Sequence, residues 1–125
     1  MHYPHRQAEV AQFIQDNVRQ AFLKLEKEFD VRNLEVQISE IEQGLQLSVD
    51  HLKEINFIYQ VVATETAPPS FMADMTSDGE VYYQAEVFLR AGGQGYDVME
   101  WTVDDLLQDI IDQYERHLHF LSVVR

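Results

Sequence analysis

The sequence predicts an α+β domain: a four-stranded antiparallel sheet flanked by an N-terminal and a C-terminal helix, in the order α-β-β-β-β-α. Three observations predict it. Apolar residues recur at three- and four-residue steps near both ends of the chain. Between those ends the period falls to two in four segments. The strands follow one another through short connections, which favours antiparallel pairing with the helices laid on the sheet.

The first helix is expected from about Ala8 to Phe29, with Val10, Phe13, Ile14, Val18, Ala21, Phe22, Leu25 and Phe29 on one face. Pro4 suits a position before or at its start. Leu34, Val36 and Ile38 then alternate with polar residues, Glu42-Gln43-Gly44 makes a turn, and Leu45, Leu47 and Val49 return as a second strand. Phe57–Thr64 is a third strand. Its Ile58 and Val62 make the second side partly apolar, which predicts a central strand covered on both faces. Val81–Arg90 is the fourth. The last helix opens at Thr102, a good N-cap, with Asp104 and Asp105 in the first turn where the helix dipole favours negative charge. Its apolar face is read as Val103, Leu107, Ile110, Ile111, Tyr114, Leu118 and Leu121. Asp112/Arg116 and Glu115/His119 have the spacing of favourable i,i+4 pairs.

The 125 residues fit one domain, expected to be a single soluble unit over 1–125. There is no cysteine, so a disulfide framework, a thiolate nucleophile and a sulfur-built zinc site are excluded. Nine Lys and Arg against 22 Asp and Glu give a net charge of −13. That field repels phosphate backbones and anionic headgroups, so neither nucleic-acid binding nor direct lipid binding is expected. A basic partner suits it. No apolar run approaches the ~20 residues that cross a bilayer as a helix.

No constellation supplies a reaction centre, and no enzyme, metal or cofactor is expected. Of the five histidines, His2 and His5 are terminal, His51 lies in a connection, and His117 and His119 are two apart on a helix, a spacing that points them in different directions. Asp104, Asp105, Asp109 and Asp112 are read as a solvated helix face; general acid–base work would need one of them in an apolar recess. Glu86, on the less apolar side of its strand, is read as structural. Gly92-Gly93-Gln94-Gly95 lacks the Lys-Ser/Thr of a phosphate loop and any βαβ context. No serine has a nucleophile motif. Tyr82, Tyr83, Tyr96 and Trp101 offer cation–π faces but read better as core or sheet residues.

The connection Glu65–Gly79 is long, is stiffened by Pro68-Pro69, and carries Phe71, Met72 and Met75. Long loops with such residues cover a core or meet a partner. Phe71, Met72, Met75, Asp105, Asp109 and Asp112 are therefore the candidate partner contacts, with a second copy or a larger protein as the partner.

Four segments carry a family resemblance: Asn56-Phe57-Ile58-Tyr59, Tyr82–Leu89, Gly92–Asp97 with Val98-Met99, and Asp109-Ile110-Ile111-Asp112-Gln113-Tyr114-Glu115-Arg116-His117-Leu118. His2-Tyr3-Pro4 adds to them. Together they resemble the C-terminal end of choline transporters of the betaine–choline–carnitine transporter family. Glu100, before Trp101, departs from the expected pattern and bears on the local turn. The resemblance implies the cytoplasmic regulatory domain of a high-affinity secondary transporter of choline, resident in the inner membrane. It would control uptake of a glycine betaine precursor under osmotic stress, with the transporter's membrane core as its partner. The competing reading is a free-standing acidic interaction or chaperone-like domain.

Overall fold

A computed structural model describes residues 5–51, 54–67, 81–90 and 95–124. The element order is α1 (Gln7–Phe13), a π-helical turn (Ile14–Val18), α2 (Arg19–Val31), β1 (Glu35–Ile41), β2 (Gly44–Asp50), β3 (Phe57–Thr66), β4 (Tyr82–Leu89), β5 (Tyr96–Asp97) and α3 (Val103–Val124). The strands form one antiparallel sheet in the order β1-β2-β3-β4-β5. The α+β class with helices at both ends is as expected, but the sheet has five strands rather than four. The extra strand is two residues long and pairs Glu86 with Asp97 and Val87 with Tyr96. Two residues cannot display an alternating pattern.

The N-terminal helix is also not one continuous α-helix. A five-residue π turn at Ile14–Val18 interrupts it. A π turn inserts one residue into the α-helical register. Here Val10, Phe13, Ile14, Val18, Ala21, Phe22, Leu25 and Phe29 all remain buried through the interruption. After α2 and its C-cap Arg32 comes Asn33, whose φ of 61° is left-handed. Leu34 N–H donates to the Phe29 carbonyl and Asn33 N–H to that of Asp30, both at 3.0 Å, the Schellman pattern that satisfies the last carbonyls.

All the described helices lie on one side of the sheet. Their apolar stripes meet Leu45, Leu47, Val49, Phe57, Tyr59 and Val61 in one core. β3 is central but is not covered on both faces by described elements. Its residues alternate between buried and half-buried from Phe57 to Thr64. The outer side carries Gln60 bonded to Gln46 at 2.6 Å, and Glu86 accepting from Thr64 at 2.9 Å and from Gln84 at 3.2 Å. Polar cross-strand pairs keep that side compatible with water despite Ile58 and Val62. The same bonds give Glu86 its structural role.

The hairpin turn sits on Glu42 and Gln43, the latter at φ 59°, with Gly44 already in β2. Gly44 lies against β3, where an added Cβ would collide with the Val61 carbonyl oxygen.

Candidate docking surface

The segment entering α3 is fixed by local bonds. Val98 and Met99 are buried, and Met99 N–H donates to the Asp97 carboxylate at 2.9 Å. Glu100 turns the chain with φ 74°, so the residue that departs from the family pattern occupies a left-handed position. Its carboxylate lies 3.2 Å from His5 Nε2, while His5 Nδ1 lies 3.0 Å from Glu9. His5, expected only as a terminal residue, thus joins the start of α1 to the approach of α3. Its carbonyl also accepts from Tyr83 N–H at 2.8 Å. Thr102 caps α3 as expected: Asp105 N–H donates to Thr102 Oγ1 at 3.1 Å, and Thr102 N–H to the Asp105 carboxylate at 3.3 Å. This is a reciprocal capping box.

Asp109 does not lie on a purely solvated face. Its Oδ2 accepts the phenol protons of both Tyr59 and Tyr96, each at 2.6 Å. Gln113 donates to Tyr96 Oη at 3.2 Å. Burial first, and then the Asp109 carboxylate, push both phenols above their ordinary pKa of 10.0. Nothing in the helical pattern singles out this cluster. The signal for it is Tyr59 itself, a phenol in a buried strand that requires an acceptor.

Asp105, Asp109 and Asp112 do come together. With Trp101 and Gln108 they line a shallow depression of about 310 Å³ on the outer flank of α3. Each carboxylate there has a bonded neighbour: Asp105 has Thr102, Asp109 the two tyrosines, and Asp112 the Gln108 amide at 2.9 Å. The expected Asp112/Arg116 and Glu115/His119 ion pairs do not form; among the described residues ion pairs join His5 to Glu9 and Glu100, and Arg19 to Glu40. Exposed Asp104, Asp105, Asp112 and Glu115 give α3 a negative outer surface. Phe71, Met72 and Met75 lie outside the described residues, as do Pro4, His2 and the Gly92–Gln94 stretch.

A second recess escaped the sequence reading. Ile55, Phe57, Ile58 and Leu89 at the sheet end and His117 and Phe120 of α3 line a groove of about 310 Å³. Arg90, Arg116 and Gln113 complete its rim. His117 is half-buried, and its Nε2–H donates to the Ile55 carbonyl at 2.8 Å. The His117 ring lies 5.7 Å from Phe57 and 6.2 Å from Phe120. His51, in the connection after β2, stacks on Tyr114 at 5.5 Å.

Among the described residues there is no group of three potential metal ligands. No described helix is long and apolar enough to cross a membrane. The described surface presents an acidic flank beside the Asp109–Tyr59–Tyr96 network and an apolar groove bordered by Arg90 and Arg116.

No family model matches the chain. Compared with individual proteins, it is 63% identical over 127 aligned positions to the glycine betaine transporter of Acinetobacter baylyi, covering 100% of this chain and 19% of that protein. It is 40% identical over 81 positions to the high-affinity choline transport protein of Escherichia coli K12, covering 65% of this chain and 12% of that one. The osmo-dependent choline transporter BetT2 of Acinetobacter baylyi matches at 37% over 94 positions, with 74% and 14% covered. The chain therefore spans less than a fifth of the length of these relatives.

Proposed function

Because this chain belongs to the betaine–choline–carnitine transporter family, matching a segment of 12–19% of its relatives' length, we propose that it is a cytoplasmic regulatory lobe of a choline or betaine carrier that sets uptake under osmotic stress. The observation that carries this reading is the 63% match along the whole of this chain to 19% of a transporter, in a segment where no described helix is long and apolar enough to cross a membrane. In this reading substrate passes through another part of the carrier, and this lobe acts on that part.

The physical basis is electrostatic. The chain carries −13, and α3 presents Asp104, Asp105, Asp112 and Glu115 to solvent. Cytoplasmic loops of membrane proteins are enriched in Lys and Arg. An acidic lobe docks on such loops at low ionic strength and is released as salt rises, because the screening length shrinks from about 30 Å at 0.01 M to about 8 Å at 0.15 M. Osmotic upshift concentrates cytoplasmic ions, so lobe release would report osmolality. The Asp109–Tyr59–Tyr96 network holds α3 against the sheet, so that the lobe docks or leaves as a unit.

The test is choline and betaine uptake against external osmolality by the carrier with and without residues 1–125. The expected result is loss of the osmotic response with transport retained. An unchanged activation curve sinks the regulatory reading.

A further inference from the structure

The groove between the end of β3–β4 and the second half of α3 combines two features that seldom meet in so acidic a chain. Its walls are apolar and open to solvent: Phe120 is 45% exposed and Ile55 43%. Its rim carries two of the nine Lys and Arg residues, Arg90 at the end of β4 and Arg116 on α3. Both are exposed, and among the described residues neither forms a hydrogen bond or ion pair, although carboxylates outnumber cations 22 to 9 in the chain. Register explains the geometry. Tyr59 pairs with Leu89, so Arg90 follows beside Ile58 at the sheet end. Arg116 stands one turn before Phe120 on α3, so each cation sits next to an apolar wall residue.

We propose that this groove binds a single-chain amphiphilic carboxylate of the fatty-acid class. Its hydrocarbon lies on Ile58, Leu89 and Phe120, and its carboxylate sits between Arg90 and Arg116. A volume of about 310 Å³ is at the small end of ligand sites, which start near ~300 Å³, and suits a medium-length chain. Guanidinium is the side chain best matched to a planar carboxylate. Charge selects this occupant over two rivals. An anionic bilayer or an acidic peptide would bring many negative groups against a surface of −13, whereas a lone monoanion brings a single charge to the two guanidiniums at the rim, of which Arg116 also borders Asp112 and Glu115. The inference stands apart from the regulatory reading, since it concerns the other end of α3 and needs no membrane partner.

The test is calorimetric titration of the 125-residue chain with sodium decanoate below its micelle concentration. The expected result is saturable one-to-one binding. The doubly substituted Arg90→Gln/Arg116→Gln variant should bind at least about tenfold more weakly, the loss of charge-assisted bonds. Phe120→Ala should weaken binding while circular dichroism shows the fold retained. Decyltrimethylammonium, with the same chain and opposite charge, should bind far more weakly than decanoate. Absence of saturable binding overturns the proposal. So does unchanged affinity in the double arginine variant, or equal affinity for the cationic amphiphile. Binding to phosphatidylglycerol vesicles without binding to decanoate would assign the rim to a membrane surface and overturn it as well.

Discussion

Tyr59 Oη donates to Asp109 Oδ2 at 2.6 Å, across 50 residues of sequence, and ties the centre of the sheet to α3. Tyr59 is fully buried and Asp109 is half-buried at the helix margin. Replacing Asp109 with Ala strands a buried phenol, and a buried unpaired polar group costs about 1–3 kcal/mol beyond the lost bond. Asp109→Ala is therefore expected to lower unfolding free energy by about 2–4 kcal/mol in urea titrations. Tyr59→Phe, which removes the donor and leaves Tyr96 on the carboxylate, should cost nearer ~1 kcal/mol. Equal stability of Asp109→Ala and the parent would show that the network does not hold the helix.

The same phenols predict an alkaline weakness. Burial, then the Asp109 carboxylate, raise Tyr59 and Tyr96 above their ordinary pKa of 10.0. A tyrosine whose folded pKa is raised holds its proton in the native state after the unfolded chain has lost it. Its contribution is complete below the unfolded pKa near ~10 and declines as pH rises past it. Stability should fall above pH ~10 with a slope approaching ~1.4 kcal/mol per pH unit from Tyr59. Tyr59→Phe should flatten that slope when denaturant midpoints are compared between pH ~9 and ~11. An identical slope in the variant would refute the assignment.

Most of the architecture was legible because apolar periodicity reports burial directly. The buried positions of α1, the π turn and α2 match the expected stripe from Val10 to Phe29, and Phe57, Tyr59, Val61 and Ala63 all face the core. What failed was the rotation of α3. The buried line runs through Leu106, Ile110, Tyr114 and Leu121, while Val103, Leu107 and Ile111 pack only partly and Leu118 is 42% exposed. Ile110, Tyr114 and Leu121 are shared with the expected line; Leu106 was not on it, and Leu118 was. The small rotation brings Asp109, Gln113 and His117 to the packed margin. One helix carries enough apolar residues for two adjacent stripes, and the choice between them is made by the sheet it meets. The π turn and β5 left no signal, since one follows from a register adjustment and the other from two residues. The acidic flank was legible as charge, but the groove was not, because Arg90 and Arg116 come to line one groove only through tertiary folding.

His5 fastens the beginning of α1, and Glu9 reports on it. The His5 hydrogen bond is the largest cause holding the Glu9 carboxyl below its usual 4.5, with the Arg6 backbone bond next. A carboxyl with a depressed folded pKa adds stability above its unfolded pKa and loses it as pH falls through the folded value. Carboxyl-carbon NMR should therefore find Glu9 titrating below its ordinary range. In His5→Ala it should move back up towards 4.5. A Glu9 midpoint indifferent to the substitution would mean that the contact does not persist in solution.

Gly44 is required by close approach and not by an unusual φ. It pairs with Ile41 across the β1–β2 hairpin and with Val62 of β3. A Cβ at this position would collide with the Val61 carbonyl oxygen and stand 2.9 Å from Val62 Cα, both rigid backbone in the central strand. Neither neighbour can yield by rotating a side chain. The hairpin must then move away from β3, weakening the adjoining bond from Ala63 N–H to the Gln43 carbonyl, now 2.8 Å. Gly44→Ala is expected to destabilise the domain by about 2–3 kcal/mol, the upper range of overpacking, although alanine favours order in the unfolded chain. Amide exchange should localise the damage, with protection lost first at Ala63 and Leu45 and retained in α2. A stability within ~0.5 kcal/mol of the parent, the range of neutral surface changes, would contradict this packing of the hairpin on β3.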